Sequence, residues 1–289
     1  METTDHTRIQ CFCLAGLFCA VLSLLTACHP QTSSPNQTEA TQSLTIHVAA
    51  SLADVAKALS EAFIEGTEES VHFNIAGSGA LAQQIMAAPR GHLFLSANRR
   101  WLQAVVDHGN ILPSSVRILA TNQLAVVAAR AGNRAEDSSS DLCDMHFDYL
   151  CIGDPAHVPA GAYAKAWLEA SSCGTDKSES LWERYEDRLL PATDVRAALA
   201  QALAMRENIA IVYYTDYLAY VDELICLYRV PLKDAPPIAY YAGTLTRAAE
   251  HTLAREFLEF LETSEAVRIF EEHGFGPPPT TLPPSQAAL

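Results

Sequence analysis

The chain has 289 residues, of which 49% are hydrophobic, so its length and composition allow a sizeable buried core. Its 19 Lys and Arg residues against 34 Asp and Glu residues give a formal net charge of −15, which excludes the basic surface that nucleic-acid-binding proteins need. The same charge repels anions at long range, so an anion site in this chain would have to act through local dipoles.

The N-terminal segment has the features of an export signal. Residues 11–27 form an apolar stretch that is preceded by Arg8 and ends directly before Cys28. This pattern predicts a signal peptide over residues 1–27. The last four residues of the segment, 25–28, resemble the bacterial lipoprotein box, which implies that Cys28 becomes the first residue of the mature chain and carries lipid. A single transmembrane anchor is the alternative, although the apolar stretch is at the short limit for crossing a bilayer.

Two terminal stretches have compositions that are typical of disorder. Residues 28–43 are rich in Gln, Thr, Ser and Pro and contain no large apolar side chain, which predicts a disordered tether. Residues 276–289 contain five prolines and no hydrophobic periodicity, which predicts a disordered tail. The folded part is therefore predicted to run from residue 44 to residue 275.

Apolar runs and helical periodicities alternate between residues 44 and 275. Predicted strands cover 44–50, 71–75, 93–95, 124–128, 150–152 and 209–213. Predicted helices cover 52–63, 81–86, 101–106, 163–170, 195–205 and 253–270. The alternation predicts an α/β architecture with mainly parallel sheets.

Four cysteines remain after the predicted cleavage: Cys143, Cys151, Cys173 and Cys226. Four cysteines allow three disulfide connectivities, and no spacing selects among them. Cys151 and Cys226 lie in apolar runs and are expected to pack as small hydrophobic residues, so Cys143 and Cys173 are the preferred disulfide candidates. No C-x-x-C pair is present, which leaves a zinc ribbon or a redox motif without support.

Four places in the sequence share one pattern, in which a strand ends, small or polar residues follow, and a helix begins. They are Ser51, Ser78 and the segments 153–163 and 191–196. Helix N-termini expose N–H groups and a partial positive charge, so they bind anions without a cationic side chain. The alternative is that Ser51, Ser78 and Asp194 only cap their helices.

These segments resemble the periplasmic molybdate-binding proteins, and the resemblance runs from about residue 44 to residue 275. It rests on Ala-Ala-Ser at 49–51, on the serine turn at 77–85 and on 191–199 with 210–213. The most specific match is Gly-Asp-Pro-Ala-His-Val-Pro-Ala-Gly-Ala-Tyr-Ala-Lys at 153–165.

The resemblance implies a two-lobed periplasmic binding protein fold of type II, with the ligand in the inter-lobe cleft. One lobe is expected from residues 44–122 plus 238–275, and the other from residues 123–237. The implied function is that of an extracytoplasmic substrate-binding lipoprotein, not an enzyme and without a cofactor. It would capture molybdate or tungstate as a monomer and deliver it to the permease and ATPase subunits of an ABC importer.

The resemblance also implies the ligand contacts. They are the hydroxyl and N–H groups of Ser51 and Ser78, the N–H groups of Ala160 and Val195, and the phenol of Tyr213. All are neutral donors, so no side chain would ligate a metal directly.

Two departures from the family pattern stand close to these segments. His92 occupies a position near the cleft where an acidic residue is usual in the family. The resemblance therefore does not imply the local geometry at this position. Gly77 and Gly79 flank Ser78, which predicts a looser turn and a lower affinity.

Other functions are compatible with parts of the sequence. Tyr213 and Tyr214 resemble the paired phenolates of some ferric-ion-binding proteins, and a sulfate-like oxyanion would suit the same donors. A serine hydrolase with Ser78 or Ser51 as nucleophile is a further alternative, although no G-x-S-x-G motif surrounds Ser78.

Overall fold

The computed structural model describes residues 42–131, 142–174 and 178–279. The predicted signal peptide, the lipidation site Cys28, the tether up to residue 41 and the tail from residue 280 lie outside the described residues. Within the described ranges, no helix combines the length and apolar character needed to cross a membrane.

The chain builds two sheets with helices packed on them. The first part forms β1 (Ser43–Ala49), α1 (Ala53–Phe63), β2 (Ser70–Ala76), α2 (Ser78–Ala87), β3 (Leu93–Ser96), α3 (Arg99–Asp107) and β4 (Arg117–Asn122). The middle part forms β5 (Leu124–Ala129), β6 (Leu150–Gly153), α4 (Pro159–Ala170), α5 (Leu181–Tyr185), β7 (Leu189–Ala192), α6 (Val195–Ala204), β8 (Ile209–Tyr213), α7 (Tyr214–Ala219) and β9 (Leu224–Arg229). The last part forms β10 (Ile238–Thr244), α8 (Thr252–Phe260) and α9 (Ser264–Glu272).

Each sheet contains five strands, and each is mixed. The strand orders are β2-β1-β3-β10-β4 and β7-β6-β8-β5-β9. β1, β2 and β3 run parallel, whereas β10 is antiparallel to both β3 and β4. In the second sheet β6 is parallel to β7 and β8, whereas β5 is antiparallel to β8 and β9. The expectation of mainly parallel sheets was therefore wrong, because the chain crosses between the sheets twice and the crossing strands enter each sheet in the opposite direction.

Apolar patterning explains the central elements. Every residue of β5 is buried, which matches its unbroken apolar sequence. Leu52, Val55, Ala56 and Leu59 form the buried face of the first helical segment, at the spacing that places side chains on one side of a helix. One apolar cluster includes residues of both sheets, and a second lies between β10, α2 and α3.

Three details differ from or refine the sequence predictions. The predicted helix 253–270 is two helices, because Thr263 accepts a hydrogen bond from the Ala266 N–H at 3.2 Å and starts a new helix. The fold also extends past residue 275, since Gly276 pairs with Thr121 through two backbone hydrogen bonds of 2.9 and 3.0 Å. Cys143 and Cys173 form a disulfide, as preferred from the sequence, and their Cα atoms are 5.7 Å apart.

Candidate functional site

Ser51 and Ser78 follow neighbouring parallel strands. Ala49 at the end of β1 lies opposite Ala76 at the end of β2. Ser51 belongs to a single 3-10 turn, Ala50–Leu52, and Ser78 is the first residue of α2. Both are buried, with 4% and 1% of their surface exposed. The carboxyl ends of the strands thus bring two serine hydroxyls to the same edge of the first sheet.

Neither serine acts as a helix cap. α2 has Gly77 as its N-cap, and the Ser78 Oγ instead accepts a hydrogen bond from the Ala97 N–H at 3.1 Å. No side-chain cap bond is made at the start of the 3-10 turn or of α1. The capping alternative is therefore wrong for Ser51 and Ser78. It is confirmed for Asp194, whose carboxylate accepts from the Ala197 N–H at 2.9 Å.

Ala160 and Val195 stand at the starts of two helices of the second sheet. Gly153 at the end of β6 lies opposite Ala192 at the end of β7, so α4 and α6 begin side by side. Ala160 is the second residue of α4 and Val195 the first residue of α6, and both are buried. N–H groups in a first helical turn have no carbonyl partner within the helix and carry partial positive charge.

The serine turn of the first sheet packs directly against these helix starts. The Gly79 N–H donates to the His157 carbonyl at 3.1 Å. A Cβ atom on Gly77 would come within 2.8 Å of the Thr193 carbonyl oxygen, and one on Gly79 would collide with the His157 carbonyl. Only glycine permits this approach, so the expectation of a looser turn was wrong.

Tyr213 ends β8 with a hydroxyl that has no hydrogen-bond partner among the described residues. The side chain is 1% exposed, and burial raises the pKa of its phenol well above the usual value, so it stays a neutral donor. Its ring lies 5.7 Å from that of Tyr240, and Ser51 is close enough to Tyr240 to lower the pKa of that phenol against the effect of burial. α6 also packs against the turn that carries Ser51. Contacts therefore link segments that carry or adjoin the predicted ligand residues.

Arg196 connects the two sheets beside the donors, in a role that sequence reasoning missed. Its guanidinium lies 2.7 Å from the Asp54 carboxylate on α1 and 2.7 Å from the Asp216 carboxylate on α7. Asp216 is fully buried and also accepts from the Tyr213 N–H at 3.2 Å. Burial raises the pKa of Asp216 to about 6, and Arg196 opposes that rise. Arg196 directly follows Val195, but nothing in the sequence shows which carboxylates it meets.

A cavity of about 140 Å³ adjoins this ion pair, and Ser51, Asp54, Arg196 and Thr215 contribute to its walls. Of the five predicted ligand residues, only Ser51 lines it. The cavity is therefore a neighbour of the donor cluster.

His92 lies away from the donors. Its Nδ1 accepts from the Thr45 N–H at 2.9 Å, near the start of β1, whereas Ser51 follows the end of that strand. Ala49 lies four residues after Thr45, which in a strand is about 13 Å. His92 thus stands near the opposite end of β1 from the turn that carries Ser51.

The ferric-ion site and the hydrolase site that the sequence left open both lack groups that their chemistry needs. A ferric site needs anionic ligands, but burial favours the neutral phenol of Tyr213, and the ring of Tyr214 faces the Arg229 guanidinium at 3.8 Å. Within the described residues, no group of three His, Cys, Asp or Glu side chains could hold a metal. For a hydrolase, His157 belongs to a segment that contacts the serine turn, but its ring binds Asp154 at 3.0 Å and stacks on Trp101, and the Ser78 hydroxyl accepts from the Ala97 N–H.

Known proteins resemble the chain along most of its length. It is 28% identical to the molybdate-binding protein ModA of Haemophilus influenzae over 82% of this chain and 91% of that protein. It is 29% identical, over 90% of this chain and 97% of the relative, to YvgL of Bacillus subtilis, whose name places it among candidate ABC transporter substrate-binding lipoproteins. Among solved structures, the periplasmic molybdate-binding protein of Azotobacter vinelandii superposes with a TM-score of 0.70 at 19% identity, over 83% of this chain and 99% of that one.

This structural neighbour shares the two-lobed fold of periplasmic binding proteins. The profile of the bacterial extracellular solute-binding proteins matches residues 44–276, which is most of the sequence. This chain belongs to the bacterial extracellular solute-binding protein family.

Proposed function

We propose that the protein binds a tetrahedral oxyanion, molybdate or tungstate, between its lobes and delivers it to the permease and ATPase subunits of an ABC importer. The observation that carries the proposal is the buried Tyr213 hydroxyl without a partner, at the edge where two helix N-termini and two serines meet. A buried donor left unmatched costs roughly 1–3 kcal/mol. An anion that accepts from it removes that cost.

The charge of the site suits a fully deprotonated dianion. Its donors are hydroxyl and N–H groups, so each oxygen of the ligand can accept, even though the whole chain carries a net charge of −15. Phosphate near neutral pH keeps a proton that finds no acceptor among these donors. We expect phosphate to bind poorly for this reason.

The similarity to molybdate-binding relatives supports molybdate over other dianions. Tungstate has the same charge and shape and would use the same donors. A smaller sulfate ion would also be fully deprotonated, but it would leave wider gaps to donors fixed on rigid helices and strands.

Ala160→Asp tests whether the helix starts hold the anion. The new carboxylate would face the ligand in a buried site, so we expect calorimetry to show no molybdate binding. Ala162→Asp is the matched control, since it adds the same charge in the same turn at a partly exposed position. Wild-type molybdate affinity in Ala160→Asp would show that the anion binds elsewhere.

We further propose that residues 44–122 plus 238–275 and residues 123–237 act as the two lobes, and that the monomeric protein is anchored outside the cytoplasm by lipid on Cys28. The membership of the strands in two sheets supports the first proposal. The lipoprotein box and the name of the Bacillus relative support the second. The mass of the mature N-terminal peptide tests it, because an unmodified Cys28 still joined to Met1 would exclude lipidation.

A further inference from the structure

The Asp216 carboxylate lies between two segments that carry predicted ligand donors. One of its oxygens, Oδ2, accepts from the Tyr213 N–H at 3.2 Å, at the end of β8. The other, Oδ1, lies 2.7 Å from the Nε atom of Arg196, which directly follows Val195 at the start of α6. One side chain therefore joins the end of β8 to the start of α6.

This carboxylate stands where a charge is costly. Asp216 is 0% exposed, and the attraction of a partner often does not recover the free energy that is lost when an ion leaves water. An apolar side chain of similar volume would often serve stability equally well. Burial raises the pKa of Asp216 to about 6, so the carboxylate is charged at pH 7.5. Its use of both oxygens on two different segments indicates a role in their geometry.

The spacing of the donors depends on how α6 packs on β8. Val195 and Tyr213 belong to different elements, and backbone hydrogen bonds within the helix do not set the distance between them. α6 also packs against the turn that carries Ser51. A displacement of the start of α6 would therefore change the position of the Val195 N–H relative to donors on both sheets.

We propose that Asp216 is a positioning residue, which holds the start of α6 against the end of β8 and thereby sets the spacing of the donors for an ion of the size of molybdate. The inference rests on the proposed function and assigns a cause to the preference for molybdate over the smaller sulfate ion. A fixed spacing suits one ion size and leaves the hydrogen bonds to a smaller ion stretched. A looser spacing lets the donors approach the smaller ion.

Asp216→Asn breaks one of the two links and keeps the other. The amide oxygen can still accept from the Tyr213 N–H, but the neutral amide no longer forms an ion pair with Arg196. Arg196 keeps the Asp54 carboxylate as a partner at 2.7 Å, so its charge is still paired in the variant. The start of α6 should therefore loosen while the end of β8 stays in place.

Calorimetry with molybdate at pH 7.5, together with competition by sulfate and by tungstate, tests the inference on the full-length protein. We expect Asp216→Asn to lower molybdate affinity by about three- to thirty-fold, which is part of the value of a hydrogen bond to a charged ligand. The molybdate-to-sulfate affinity ratio should fall by at least about three-fold. The molybdate-to-tungstate ratio should not change, because these two ions have the same charge and shape.

Two other Asp→Asn variants separate this role from a change of charge and from lobe closure. Asp222→Asn makes the same charge change at an exposed position after α7, so both affinities should stay within about two-fold of wild type. Asp54→Asn removes the other partner of Arg196 and should lower molybdate and sulfate affinity in the same proportion. A ratio that falls as far in Asp54→Asn would assign the selectivity to closure and overturn the role of Asp216.

The double variant of Asp216→Asn with Arg196→Gln keeps the inference testable should Asp216→Asn fail to fold, because it removes both charges of the buried pair. The link to α6 is absent in it as well, so the same fall in the molybdate-to-sulfate ratio is expected. An equal fall in both affinities in the folded variants, or no fall at all, would overturn the role of Asp216 and leave the proposed function intact. Absence of molybdate binding in the wild type would instead overturn the proposed function itself.

Discussion

Ser78 accepts from the Ala97 N–H and is 1% exposed, and we expect its own proton to be donated to the bound anion. Ser78→Ala removes this donor, and a hydrogen bond to a charged ligand is worth roughly 1.5–3 kcal/mol. We expect calorimetry to show a fall in molybdate affinity of about ten- to a hundred-fold. Ser60→Ala is a suitable control, because Ser60 is equally buried but donates to the Lys57 carbonyl within α1. Equal affinity in Ser78→Ala and Ser60→Ala would remove Ser78 from the site.

For single residues, the positions of the predicted donors along the chain could be predicted from the sequence, but the residues that they and their neighbours contact could not. Ser51 and Ser78 stand where a strand gives way to a helix, which is a local pattern that the sequence displays. Arg196 pairs with two carboxylates elsewhere in the chain, and Asn122 donates to the distant Tyr240 hydroxyl, so no local spacing reveals these contacts.

Strands and helices with strong apolar patterns were predicted best. The strands β5 and β8 are buried along their whole length, and their unbroken apolar runs predicted them. β4 was missed because its residues are partly exposed and mix polar with apolar types. β10 was also missed, because its tyrosines and glycine do not form an unbroken aliphatic run. These residues are buried only because other elements pack on both sides of the strand. The split between α8 and α9 could have been predicted from Thr263, a good N-cap residue.

The amino ends of β1 and β3 carry a pH-sensitive contact. His92 accepts from the Thr45 N–H and stacks on His251 with ring centroids 4.0 Å apart. Burial, with the nearby His251 and Arg247, lowers the pKa of His92 to about 4, below its ordinary value near 6.5. A depressed histidine pKa stabilises the fold above the unfolded-state pKa, and this stability is lost as the pH falls from about 6.5 to about 4.

His92→Gln should therefore reduce the loss of stability in acid. We expect urea unfolding to show a smaller drop in the free energy of unfolding between pH 7 and pH 4.5 than in wild type. His72→Gln, at an exposed position on the neighbouring β2, should leave the wild-type drop unchanged. The same drop in His92→Gln and wild type would assign the acid sensitivity to other groups.

Contacts join residues of the two sheets, and we expect these contacts to form when the two proposed lobes close. The Gly79–His157 hydrogen bond and the ion pair of Arg196 with Asp54 both join residues of different sheets. Hinge closure around a ligand is the common motion of two-lobed binding proteins. An interaction that exists only in the closed state adds its free energy to ligand binding.

Asp54→Asn should weaken molybdate binding without touching a ligand contact. Asp54 is 56% exposed at its side chain, and an exposed ion pair is worth about 0.2–1 kcal/mol, so a loss of about 1.4- to five-fold is expected. The loss should shrink at high salt, which screens the pair. Glu61→Gln is the control, because Glu61 pairs with Lys57 within the same helix at 3.9 Å. A salt-independent loss, or the same loss in both variants, would contradict this closing role of Asp54.

The thermal unfolding midpoint of the purified protein with molybdate, tungstate, sulfate, phosphate or ferric citrate tests the central claim most directly. A ligand at 100 times its dissociation constant stabilises the folded state by about 2.7 kcal/mol. At about 2–4 °C per kcal/mol, molybdate and tungstate should raise the midpoint by about 5–11 °C, and phosphate should have little effect. A rise with ferric citrate and none with molybdate, or equal rises with phosphate and molybdate, would contradict the neutral-donor oxyanion site.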